Sequence, residues 1–131
     1  MLSELPEYEE KILSVVAWGA PDVGTNFGGV LLPYLPRMGR ALEPLYTVSP
    51  PPYDFSSIST PIHFFWSPSD AFAGRAEFGR LLTRFGPNAS LAVHETPSFN
   101  HFDFVISLDA PMLLFEPMRS IYESELESNI V

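Results

Sequence analysis

The chain has 131 residues, of which 46% are hydrophobic, 14% aromatic and 18% charged. That is enough apolar material for one domain burying roughly two thirds of its surface, and it excludes the polar, high-charge balance of a disordered chain. Seven basic residues, of which only Lys11 is a lysine, stand against sixteen acidic ones for a net charge of −9, which argues against a nucleic-acid partner because phosphate backbones are repelled. Cysteine is absent, so disulfides, thiolate metal sites and cysteine nucleophiles are excluded.

Glu4, Glu7, Glu9 and Glu10 near one end, and Glu123, Glu125 and Glu127 near the other, read as solvated faces serving solubility. Leu2 to Lys11, with Pro6 near its start, reads as a short helix leading into Ile12 to Trp18. That near-continuous apolar run predicts a strand buried on both faces of a parallel sheet. Gly19-Ala20-Pro21-Asp22 ends it, and residues 22–52, rich in proline and glycine without a clean period, predict an irregular insertion. Pro61 to Trp66 is a second strand, closed by the turn Ser67-Pro68-Ser69-Asp70. Phe78, Leu81, Leu82 and Phe85 have the i, i+3, i+4, i+7 spacing of one helix stripe, stopped by Gly86-Pro87. Ser90 to Glu95 is a third strand, followed by the turn-rich stretch Thr96 to His101. A last helix is predicted from Met112, Phe115, Met118, Ile121 and Tyr122, with Asp109 as N-cap and Pro111 in its first turn. Pro117 is expected to kink or split it.

Strand, insertion, strand, helix, strand, helix predicts an α/β fold of about three parallel strands with crossover helices. No stretch approaches the roughly 18 uninterrupted apolar residues of a membrane span. Met1-Leu2-Ser3-Glu4 lacks the basic n-region of a secretory signal, which leaves the localisation of this chain open.

His63 and His94 fall inside strands and are expected to be core or edge-strand residues with hydrogen-bonded rings. His101 is the histidine placed for chemistry. No HExxH or carboxylate cluster suggests a metal, and no cofactor is expected. Reactive loops of an open α/β sheet lie beyond the carboxyl ends of its strands, where the pattern puts both Asp70 and His101. An acid after one strand and a histidine after the next, 31 residues on, is the second half of the Ser, Asp/Glu, His order of an α/β-hydrolase triad. The same spacing also fits a surface turn aspartate and an unconnected loop histidine. Asp103 is read as a helix N-cap rather than an orienting acid. Ser67, Ser69 and Ser98 lie near Asp70 or His101 in sequence, but none stands on a strained strand-to-helix turn.

Phe99-Asn100-His101-Phe102-Asp103-Phe104 with Leu108-Asp109-Ala110-Pro111 resembles the catalytic-histidine segment of the acid lipases, the gastric and lysosomal type of α/β hydrolase. Tyr53-Asp54-Phe55 through Pro61-Ile62 to Asp70 is similar to the segment that delivers that family's aspartate. Leu2-Ser3-Glu4-Leu5-Pro6-Glu7-Tyr8 and Ile12 to Pro21 resemble the helix and strand that follow its nucleophile elbow. The resemblance implies the C-terminal part of an α/β-hydrolase fold, Asp70 and His101 as triad acid and base, a lipid ester substrate, and a secreted or lysosomal full-length parent. In such a parent the triplet Asn88-Ala89-Ser90 would be a glycosylation site at Asn88.

Two departures qualify what the resemblance implies. None of the eight glycines has a serine two residues on, so the G-x-S-x-G elbow is missing and the chain is expected to begin just after it. Pro21 to Pro52 stands where the family has a larger, mostly helical cap, leaving a cap remnant. Ser67-Pro68-Ser69 also replaces the glycines usual before the aspartate. Residues 1–131 are therefore expected to form a partial hydrolase domain, inactive as given. Two alternatives stay open: a non-catalytic module that binds a partner or itself through the edge of Ile12 to Trp18, and a lipid-binding module using Leu31, Leu32, Tyr34 and Leu35.

Overall fold

A computed structural model describes residues 5–20 and 54–129. The expected insertion and its residues Leu31, Leu32, Tyr34 and Leu35 lie outside the described residues. A 3₁₀ turn, Pro6–Lys11, precedes strand β1 (Val15–Trp18), and β2 (Ile62–Trp66) and β3 (Leu91–Glu95) complete one sheet. The strands lie in the order β1-β2-β3 with both pairs parallel, Val15 opposite Ile62 and Ile62 opposite Leu91.

Successive side chains of a strand face opposite sides, and β2 sorts accordingly. Ile62, Phe64 and Trp66 are buried with Ile58 and with Phe78 and Leu81 of helix α1 (Arg75–Leu82). Phe78 stacks on Trp66 with ring centroids 4.9 Å apart and meets Phe64 edge-on at 5.6 Å, geometries that add to the burial term. Leu82 and Phe85 pack against the same cluster, so the four-residue stripe read from spacing faces the sheet. On the opposite side Phe65 is buried with Phe99, Phe104, Ala110 and Leu114. These come from the loop after β3, helix α2 (Asp103–Ile106), and the π-helical turn Pro111–Phe115 that runs into helix α3 (Glu116–Asn129). Helices on both faces of a small parallel sheet make the α/β architecture expected. No helix among the described residues is long and apolar enough to cross a membrane.

The structure corrects four local expectations. β1 is half-buried rather than covered, and Trp18 is 43% exposed, because β1 is an edge strand paired with β2 alone among the described residues. The last helix begins as a π turn: the Glu116 N–H reaches back five residues to the Pro111 carbonyl. Pro117, which has no N–H to give, follows directly on this wider turn as the second residue of α3. The stripe departs from expectation at Met112, Phe115 and Tyr122, which are exposed while Ala110 and Leu114 are buried, but Met118 and Ile121 pack against the core as expected. Asp109 makes no side-chain cap; its carbonyl accepts from the N–H groups of Met112 and Leu113 at 3.1 and 2.9 Å, and Ala110 is the capping residue. Finally, Glu9 is more than a solubilising charge. Its carboxylate accepts from the Ser59 N–H at 3.0 Å and the Ser59 hydroxyl at 2.6 Å, tying the 3₁₀ turn to the segment before β2. The hydroxyl and then the amide of Ser59 hold that carboxyl below its ordinary value.

Candidate active site

Parallel strands all end on the same side of a sheet, so the loops that follow them gather along one edge. The loop after β2 turns at Ser67, whose carbonyl accepts the Asp70 N–H at 3.2 Å. The Asp70 carboxylate then folds back on its own chain. Its Oδ1 accepts from the N–H groups of Phe72 and Ala73 at 2.7 and 2.9 Å, the local bonding that suits aspartate to turns. Its side chain is 0% exposed, and Oδ2 lies 3.0 Å from Nδ1 of His101. A carboxylate in this setting is an acceptor. In the neutral imidazole Nδ1 is then the nitrogen that carries the proton and Nε2 the one with the lone pair. The His101 side chain is 32% exposed.

The two loops are latched together. Asn100 Oδ1 accepts from the N–H of His101 at 2.7 Å and from the N–H of Ala71 at 3.3 Å, joining the loop after β3 to the loop after β2. Ser69 Oγ donates to the Pro97 carbonyl at 2.8 Å. The N–H and hydroxyl of Thr96 both donate to the Trp66 carbonyl, at 2.8 and 3.1 Å. The indole N–H of Trp66 in turn donates to the Ala73 carbonyl at 2.8 Å. Phe72 and Phe102 flank the imidazole with centroids 4.8 and 5.7 Å away, and Phe102 is 58% exposed.

The two loops thus bring Asp70 and His101 together, whereas the roles of Asn100 and Thr96 were not read from the sequence. Asp103 is corrected: it is the first residue of α2, not its cap, and its Oδ2 accepts the Asn100 N–H at 2.7 Å. In this way it steadies the residue beside the histidine. Ser67 Oγ is taken up by the Ser69 N–H at 3.1 Å, and Ser98 is exposed. Asn88 is exposed between α1 and β3. His63 Nδ1 and His94 Nε2 pair with each other at 3.1 Å across β2 and β3, as expected of strand histidines. Burial and then the neighbouring His63 push the His94 pKa down. Among the described residues no group of three or more His, Asp or Glu is placed to hold a metal.

No protein-family model matches the chain. Two lipases of Caenorhabditis elegans are similar to part of it. Lipase lipl-1 is 30% identical over 77 residues, 58% of this chain and 19% of that lipase. Lipase lipl-3 is 37% identical over 75 residues, 56% of this chain and 19% of that lipase. The match therefore spans under a fifth of the length of each relative.

Proposed function

We propose, from this partial homology to named lipases, that the chain carries the acid and base of a serine ester hydrolase of the α/β-hydrolase type acting on lipid esters. The observation that supports it most is the 3.0 Å contact between the buried Asp70 Oδ2 and His101 Nδ1. In this reading His101 Nε2 takes the proton of a serine hydroxyl as the serine oxygen attacks the ester carbonyl. Asp70 holds the imidazole in the required tautomer and stabilises the imidazolium. The same proton then goes to the leaving alkoxide, and a water molecule repeats the sequence to release the acid. Phe72 and Phe102 would give the imidazole an apolar flank against the lipid.

The 131 residues hold no G-x-S-x-G, and an oxyanion-hole donor contributes about 10²- to 10³-fold. By itself the chain is expected to hydrolyse a short-chain nitrophenyl ester no faster than buffer. A rate that disappears in His101→Ala would overturn that expectation. The acid–base assignment is tested by replacing the corresponding stretch of lipl-3 with this chain's residues. The chimaera should hydrolyse the ester, lose the activity in His101→Ala and lose about 10⁴-fold in Asp70→Asn. A folded chimaera without activity, or one indifferent to His101→Ala, refutes it.

The half-buried β1 favours a second reading, association through its edge. Sedimentation of the chain as a monomer at tens of micromolar would remove it.

A further inference from the structure

The residue that closes β1 lies under the acid–histidine pair. Gly19 is buried, and its N–H extends the ladder to the Phe65 carbonyl at 3.1 Å. Its φ is +55°, the one positive value among the described residues. A Cβ added there would stand 3.2 Å from His101 Nδ1, 3.3 Å from His101 Cε1 and 3.3 Å from Asp70 Oδ2. Those atoms include both ends of the Asp70–His101 hydrogen bond. The bare Cα is thus a floor beneath the bond, and any side chain would press on both partners at once. Asp70 has nowhere to yield, because Oδ1 is held by two backbone N–H groups. The imidazole, one third exposed, is the partner that would move.

We infer that Gly19 is a positioning residue for His101, holding the Nδ1–H against Asp70 through its missing side chain; this rests on reading Asp70 and His101 as an acid–base pair. Two demands fall on the one position, and they separate experimentally. The left-handed backbone accepts asparagine more readily than alanine, whereas the Cβ of either would have to push its neighbours back by a few tenths of an ångström. Backbone strain alone therefore predicts a milder effect of Gly19→Asn than of Gly19→Ala, and the floor predicts that the two behave alike.

The test is ¹⁵N and ¹H NMR of the His101 ring in the 131-residue chain, reading the tautomer and the exchange of the Nδ1 proton with water. In wild type the ring should be held as the Nδ1–H tautomer with a slowly exchanging proton. In Gly19→Asn and Gly19→Ala exchange should be at least roughly tenfold faster, as the bond opens locally, with the Nε2–H tautomer appearing. Gly79→Ala, where a Cβ meets nothing within 4 Å, should leave the ring unchanged. Asp70→Asn separates the two layers. If it leaves the His101 signals unaltered, the pair itself is refuted. If it alters them while Gly19→Asn folds and does not, the role of Gly19 is refuted and the pair stands.

Discussion

Removing the Asp70 carboxylate should cost more stability than removing the histidine it serves. The carboxylate accepts three hydrogen bonds: two from the backbone N–H groups of Phe72 and Ala73, and one from His101. Bonds to a charged group are worth about 1.5–3 kcal/mol each, and a buried donor left without an acceptor costs about 1–3 kcal/mol. Ala73 is fully buried, so its N–H has no ready replacement, whereas Phe72 is half-buried and water can reach it. Asp70→Ala should therefore destabilise by about 3–5 kcal/mol, a large share of the roughly 5–15 kcal/mol of an ordinary domain. Asp70→Asn keeps an oxygen facing both N–H groups and should lose about 1–2 kcal/mol. His101→Ala, at a one-third exposed side chain, should lose about 1 kcal/mol, since the freed Oδ2 can be met by water. Urea unfolding followed by fluorescence of the buried Trp66 reads the three midpoints at a common slope. An Asp70→Ala protein within about 1 kcal/mol of wild type, or less destabilised than His101→Ala, would refute the claim that the turn is built on this carboxylate.

The His63–His94 pair predicts a pH dependence. Folding depresses the His94 pKa below its ordinary 6.5, so the folded chain resists a proton that the unfolded chain accepts. Stability is then full above 6.5, declines as pH falls below it, and stops declining at the lower folded value. His94→Gln should flatten that decline in denaturation measured across the window. Glu9, whose pKa is lowered by Ser59, works in the carboxylate sense: its contribution is present above the ordinary 4.5 and fades as pH falls through the folded value. Ser59→Ala should lower the melting temperature at pH 7 and have a smaller effect at about pH 3. Gly79 is exposed within α1 with open space at its Cβ position, so Gly79→Ala should stabilise by about 0.5–1 kcal/mol in urea titrations. Gly86→Ala should do the reverse, since its Cβ would collide with the Ser56 carbonyl. Leu114→Ala, at a side chain with no exposure, should cost about 2–5 kcal/mol by the same assay.

The legible parts of the fold are those decided by neighbours in sequence. Pro61 to Trp66 and Ser90 to Glu95 are apolar runs bounded by turn residues, and they became β2 and β3 within a residue of the expected limits. The meeting of Asp70 with His101 follows from parallel strands that carry their loops to one edge. What could not be read depends on partners far along the chain. Asn100 finds Ala71 across 29 residues, and Glu9 finds Ser59 across 50. The exposure of β1 is set by what lies beside it, which an apolar run does not encode. The first turns of the last helix depart from the expected stripe because they wind as a π turn that no 3.6-residue periodicity contains, while Met118 and Ile121 pack where the spacing put them.

The latches that join the loop after β2 to the loop after β3 all come from residues 66–103. Asp70 and His101 are thus set by one β-α-β cassette, and Gly19 is the seam where that cassette meets the end of β1. Residues 66–103 therefore carry the dimensions of the Asp70–His101 contact with them as a unit.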